Sequence, residues 1–384
     1  MMKSYGPSST APQGGFGLVE VMVGMVIAMI GILAMTQIFA VSEGQRRATT
    51  SGADAQSTGA LAMFTLEREL QMAGHGLINT NCQDVRMRDS VGNTVSMSGL
   101  PVTITARNDT AFGGDVPSRQ VTVVASSSST GGFSATLGDN MATSASPLRV
   151  HFGAGFRKGD LVLISQPGKP HCTVLQVSAA PFPMAPPFVA QAVSVPGEIG
   201  GNGVLWQVPH DPDPVDAPFN PPNADNIAPP GGFDRSLATV RVMGGTMTRL
   251  SFFVQGRNLV RRDESAPAAT PPTVIASNVV ALEARYGLDL LPAAAPDGFV
   301  DTYTDVLPPN TPDNRIVAVR LAIVTRGTIP ERVTVLNRAN PNLIPLWDGG
   351  PTLDVDSTND PEARNYRYRV FQTTIPLRNG IWNN

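Results

Sequence analysis

The chain has 384 residues, 42% hydrophobic and 15% charged, with a formal net charge of −3. That is apolar enough for a core, and Gly 37 with Pro 34 stays below the roughly 25–30% that marks low-complexity disorder. The charge balance gives no support to general attraction for nucleic acid, and two cysteines exclude a disulfide-dense scaffold or a four-thiolate zinc site.

Residues 1–15 are short, polar and rich in Gly, Pro and Ser. Val21 to Val41 then runs 21 residues without a charge. As a helix it spans about 30 Å, the hydrocarbon thickness of a bilayer. The alternatives are a buried helix of a soluble protein, a secretory signal and a plain single-pass anchor. Signals normally have about 7–15 apolar residues and an A-x-A-like site; Ile38-Phe39-Ala40 is a poor match.

Gly15-Phe16-Gly17-Leu18-Val19-Glu20 abuts the apolar run. A carboxylate in a membrane helix costs about 2.5–3.5 kcal/mol on insertion scales and usually has a partner. Cleavage between Gly15 and Phe16 creates one. The new α-amine on Phe16 lies four residues from Glu20, on one helix face. Between stacked chains, the amine of one meets Glu20 of the next, which favours a single axial register because a buried unpaired charge is expensive.

These residues resemble the type IV prepilins. The resemblance implies that a membrane prepilin peptidase cuts after Gly15, that Phe16 becomes the methylated first residue, and that Glu20 is the register carboxylate. Gly17 departs from the family's usual threonine, and the apolar helix lacks proline. Lysine and arginine counts favour the opposite orientation, since Arg46 and Arg47 follow the span and only Lys3 precedes it. The resemblance implies a cytoplasmic leader and a periplasmic head, anchored in the inner membrane and later part of a fibre at the cell surface.

Residues 42–60 are polar and small, with Gly44, Gly52 and Gly59 each costing a helix about 1 kcal/mol against alanine. Met63, Leu66, Leu70, Ala73 and Leu77 then form a helical stripe, ending near Gly74-His75-Gly76, where glycine suits a cap. The reading is a helix over 16–77, apolar all round in its span (about 21–41) and one-sided beyond it. A rod from Phe16 to His75 measures about 90 Å.

The remainder, 78–384, reads as a single β-rich head. Strands are expected over Pro117–Ala125, Asp160–Gln166 and Ile316–Arg326. A hairpin is expected around Gly256-Arg257-Asn258, and a last strand places Phe371, Thr373, Ile375 and Leu377 on one face. Pro376 suggests an edge or the strand's end. Thirteen prolines between Pro181 and Gly232 point to a long surface excursion over 181–232, partly extended polyproline. The fold class is α+β: a long N-terminal helix, transmembrane then amphipathic, packed on an antiparallel head with long loops.

Further pieces resemble the PilW-type minor pilins: Leu66 to Gly74 with Cys82, Tyr286 to Asp289 with Asp297-Gly298 and Asp301-Thr302-Tyr303, Val317 to Arg326, and Phe371 to Asn379. The region from about 85 to 235 carries no such likeness. The resemblance implies a part in initiating pilus assembly, with other minor pilins and the major pilin as partners. A tip-located adhesive or DNA-contacting module and a type II secretion pseudopilin are the alternatives.

Cys82 and Cys172 are the only thiols, and a periplasmic head favours their pairing over two buried free cysteines. Asp289, Asp297 and Asp301 lack the EF-hand spacing and read as turn residues rather than a cation loop. His75, His151, His171 and His210 are scattered, with surface or helix-end roles expected. Asp211, Asp213 and Asp216 read as a solvated loop. Arg320, Arg326, Arg367 and Arg369 read as a solvated strand face, with an anionic partner as a minor alternative. No G-x-S-x-G, P-loop or dinucleotide fingerprint occurs. Hence no catalytic residue, cofactor, metal or small-molecule site is assigned, and the chain is read as a non-enzyme.

Overall fold

A computed structural model describes residues 17–77, 80, 82–89, 91–108, 117–128, 133–184, 204–222, 226–266, 270–291, 297–309, 311–331, 334–335, 343–354 and 362–381. One long helix, α1, runs from Leu18 to Gln71, about 80 Å at the standard rise. In chain order the strands are β1 (Asp84–Arg88), β2 (Thr94–Ser98), β3 (Val102–Asn108), β4 (Pro117–Ser126), β5 (Ser134–Thr136), β6 (Leu148–Val150) and β7 (Leu161–Ser165). Next come β8 (Cys172–Gln176), β9 (Phe182–Pro183), β10 (Trp206–Val208), β11 (Thr239–Gly244), β12 (Met247–Gln255) and β13 (Asn258–Asp263). The series closes with β14 (Thr273–Ser277), β15 (Val279–Leu288), β16 (Thr302–Thr304), β17 (Ile316–Arg326), β18 (Leu343–Pro345), β19 (Thr352–Asp354) and β20 (Tyr368–Pro376).

Two sheets carry α1. The first has the order β16-β15-β17-β20 and the second β14-β13-β12-β4-β3. They meet where the Ser118 hydroxyl donates to the Leu282 carbonyl and accepts from its amide, both at 3.2 Å, and where the Ile104 amide donates to the Tyr286 hydroxyl at 2.5 Å. One core forms between these sheets and the helix: Ala62, Leu66, Leu70, Phe252, Leu282, Val319, Leu321 and Ile323 are all fully buried. Its helical contributors recur at intervals of three and four, as the stripe in the sequence requires.

β17 is buried on both faces because its reverse side is also covered. Ala322 and Val324 pack there with Ile344, Leu346 and Trp347, from β18 and the turn after it. The β12–β13 hairpin turns at Gly256 (φ 59°) and Arg257 (φ 61°), the two positive angles of a type I′ turn. β20 pairs with β17 along its whole length and lies at the sheet edge, so Pro376 costs no ladder bond on the open side.

The middle of the chain builds a separate layer. A six-stranded sheet has the order β2-β1-β8-β7-β11-β5, and a three-stranded one β6-β10-β9. Between them lies a core of Leu137, Leu148, Val162, Leu175, Val208, Phe233 and Val240. β1 and β8 run parallel, an exception to the antiparallel expectation for the head.

The proline-rich stretch departs from the surface excursion expected of it. In its described parts, β10 is the central strand of its sheet, and His210, Ala217, Asn220, Ile227 and Ala228 are buried. The prolines flank β10 rather than interrupt it, so its ladder keeps its donors. Asn220 replaces the missing backbone pairing: its side chain accepts from the Gln176 amide at 2.6 Å and donates to the Gln176 carbonyl at 2.7 Å. Residues 185–203 and 223–225 of this stretch lie outside the described residues.

Candidate functional site

The N-terminal half of α1 stands free of the head. Every residue from Leu18 to Val41 is exposed, including Ile27, Ile30, Leu33, Ile38 and Phe39 at 58–71%. It is the one described helix long and apolar enough to cross a membrane, and so apolar a surface needs lipid or protein around it. Glu20 lies in the first turn, where the helix dipole favours a negative charge. Gly15 and Phe16 lie outside the described residues.

The other half of α1 is locked down. Its buried residues are Ser51, Ala55, Gly59, Ala62, Leu66 and Leu70. The first four are small, which brings the helix backbone close to the sheet. A β-carbon on Gly59 would overlap the Phe371 ring, and one on Gly327 would overlap Ser51. The Thr325 hydroxyl donates to the Ala55 carbonyl at 2.9 Å. The glycine in the helix is therefore required by packing, despite its propensity cost.

The helix ends at Gln71, and turns continue to Leu77, slightly earlier than the Gly74–Gly76 stop expected from sequence. Asn379 satisfies the freed carbonyls, donating from Nδ2 to Ala73 at 3.0 Å. The Gly74 amide donates to Val124, and the Ser126 amide to His75, tying the exit to β4. Gly74 and Gly76 have φ of 74° and 79°, which glycine adopts without strain.

Immediately beyond the helix, Cys82 and Cys172 form a disulfide with Cα atoms 5.7 Å apart. It joins the helix exit to β8, in a core shared with Leu77, Val85, Leu163 and Met243. The bond thus fastens the middle layer to the base of the helix–sheet unit.

Other candidates resolve into structural roles. Asp289 is fully buried; it accepts from the Gly298 amide at 2.6 Å and faces Arg315 at 3.6 Å. One Asp301 oxygen accepts from the amides of both Leu290 and Leu291 at 2.7 Å, and Asp297 accepts from Phe299 at 2.9 Å. Among the described residues no three His, Cys, Asp or Glu side chains gather in a metal-binding group. Asp213 accepts from the amides of Val215 and Asp216, and Asp216 pairs with Lys158 at 2.7 Å.

Two histidines differ from the surface roles expected for them. His171 is buried, with Nε2 at 3.2 Å from the Ile227 carbonyl. His210 is buried, with its nitrogens 3.1–3.2 Å from the Ser144 and Val208 carbonyls; burial lowers its pKa. Two of the four arginines also leave the solvated face assigned to them, while Arg367 and Arg369 are exposed as expected. Arg320 lies 4.8 Å from the Trp347 ring, and Arg326, itself buried, 4.1 Å from Tyr366. Glu283 was not visible in the sequence as a special residue: it pairs with Arg119 at 3.4 Å, and burial raises its pKa.

A helix half buried in a β head and half presented as bare apolar surface, with a carboxylate at its start, fits a membrane-anchored, pilin-like protein. Two family models match the chain. Residues 252–379 match Type IV Pilus-assembly protein W, and residues 10–36 match the Prokaryotic N-terminal methylation motif. Both matches agree with the resemblance to PilW-type minor pilins drawn from the sequence, over about a third of the chain and its N-terminal segment. No curated protein matches the chain, and no solved structure does. The first match runs from inside β12 to Asn379 and so covers most of the sheet framework that α1 packs on, while the middle layer falls outside both.

Proposed function

We propose that this protein is a minor pilin that enters a type IV filament through α1, after prepilin peptidase cuts between Gly15 and Phe16 and the new amine is methylated. Before assembly the span holds it in the inner membrane with residues 78–384 as a periplasmic head. In the filament, Glu20 pairs with the Phe16 amine of a neighbouring pilin. The observation that carries this reading is the mechanical continuity of α1: Glu20 and the head-locked Ser51–Leu70 face lie on one uninterrupted helix. A register set at Glu20 therefore fixes the height of the head.

Apolar helix surface supplies attraction without direction, and the charge pair supplies register. Glu20→Ala spares membrane insertion and impairs assembly; normal filaments from that variant contradict the reading. The families matched are structural ones, in keeping with a packing role. Initiation of assembly with other minor pilins and the major pilin is the role this construction suits.

A further inference from the structure

The middle layer carries an open cleft of about 280 Å³ beside its three-stranded sheet. Strand register builds one side of it. Arg149 on β6, Gln207 on β10 and Phe182 on β9 are direct cross-strand neighbours, so their side chains form a row on one face. Leu148, Val150 and Val208 alternate with them and point the other way, into the core. Gln207 and Phe182 line the cleft together with Ser144, His210 and Asp211. Phe182 is 50% exposed, an aromatic face turned towards solvent beside polar groups.

Those polar groups fall into two sets. Both ring nitrogens of His210 lie against backbone carbonyls, and Arg149 is paired with Asp139. By contrast, among the described residues the Gln207 amide and the Asp211 carboxylate have no hydrogen-bond or ion-pair partner. The backbone under Asp211 is nonetheless fixed: its amide donates to the Ser178 hydroxyl at 3.1 Å, and its carbonyl accepts from Asn220 Nδ2 at 3.2 Å. A free amide offers donors and an acceptor, and a free carboxylate offers acceptors. A cleft with an apolar wall and a few convergent polar groups is the usual form of a small-molecule site.

The lining also limits what fits. Pro147, Pro209, Pro212 and Pro221 border the cleft and have no N–H, so an extended peptide finds no ladder to join. An anion meets the Asp211 carboxylate, while the nearby Arg149 is already engaged. The volume lies just under the roughly 300–1,000 Å³ of ordinary ligand sites, which suits one ring rather than a chain of them. A neutral pyranose has the matching chemistry: polarised C–H bonds on one face and hydroxyls around the rim.

We propose that this cleft binds a neutral pyranose ring. One face of the sugar stacks on Phe182, whose negative ring face attracts the C–H bonds, and Gln207 and Asp211 take the rim hydroxyls. The cleft lies outside both family matches, so the inference does not depend on the pilin reading.

The test is saturation-transfer NMR on the full chain, in a detergent without a sugar headgroup, with a panel of neutral methyl pyranosides at millimolar concentration and with anionic sialic acid beside them. Transfer to the C–H protons of a neutral pyranoside is expected. Phe182→Leu, which keeps an apolar side chain without the ring face, lowers the affinity by at least about tenfold, as for a central aromatic contact. Phe182→Trp retains binding, and Gln207→Ala and Asp211→Ala weaken it. Phe152→Leu, at another exposed aromatic of the layer, leaves it unchanged. The Cys82–Cys172 bond checks the fold of each variant, and Gln207→Ala with Asp211→Ala carries the test where Phe182→Leu does not fold. Transfer to no neutral pyranoside, a stronger response to sialic acid, a response that survives these substitutions, or an equal loss in Phe152→Leu overturns the proposal.

Discussion

Gly59 and Phe371 are in such close contact that the helix can pass the ring only where it has no side chain. Gly59→Ala is therefore expected to destabilise the helix–head junction by about 1–3 kcal/mol through overpacking, although alanine is the better helix former by about 1 kcal/mol. Gly52→Ala, with nothing within 4 Å of its β-carbon, is expected to stabilise by up to about 1 kcal/mol. Chemical denaturation of the detergent-solubilised chain compares the two. Equal effects of the two substitutions contradict the packing argument, and Phe371→Leu is expected to rescue Gly59→Ala in part.

The Cys82–Cys172 bond spans 90 residues of sequence. Chain-entropy reasoning gives a loop of that size a stabilisation of about 4–5 kcal/mol. Cys82→Ala with Cys172→Ala is expected to lower the melting temperature and to loosen the middle layer first, because the bond ties that layer to the helix exit. Hydrogen exchange over 161–176 follows the effect, with α1 residues 55–70 as the reference. Uniform loosening of both regions contradicts the fastening role.

His210 supplies a pH dependence with a definite sign. Burial depresses its folded-state pKa, so on acidification the unfolded chain takes up its proton first. The stability contribution is present above the ordinary histidine pKa of about 6.5 and is lost as pH falls towards the depressed value. The opening free energy of amides over 205–222, from hydrogen exchange corrected for the pH dependence of the intrinsic chemical rate, is expected to fall as pH drops below about 6.5, and that fall is expected to disappear in His210→Gln. A pH-independent wild type contradicts it.

Glu283 has the opposite sign. Its raised pKa means that its contribution is full below the ordinary glutamate pKa and is lost as pH rises through the higher folded value. Glu283→Gln is expected to flatten stability against pH from about pH 4 upward, as read by denaturant midpoints. An unchanged slope contradicts the assignment.

The sheets on α1 were legible where each residue's neighbours follow from periodicity. Leu66 and Leu70 kept helical spacing, whereas Leu77 lies past the helix end in the core around the disulfide; Val319, Leu321 and Ile323 kept strand spacing. The Gly256-Arg257 turn declared itself by composition. What escaped was what depends on distant partners. Gly59 reads as a weak helix residue until Phe371 is set beside it. His210 reads as a loop residue because the carbonyl of Ser144 is 66 residues away. The proline-rich stretch looked peripheral because Asn220, rather than a strand, completes its bonding to Gln176. Glu20 stands out in the sequence because a charge against an apolar run needs no tertiary context to be anomalous; its register role is the proposal made above.

The central claim is that Glu20 has its partner in an amine that proteolysis creates. Intact-mass and N-terminal fragment analysis of the protein recovered from membranes and from filaments tests it most directly. The account predicts a chain beginning at an N-methylated Phe16 in both fractions. A chain that still carries residues 1–15 within filaments would contradict it.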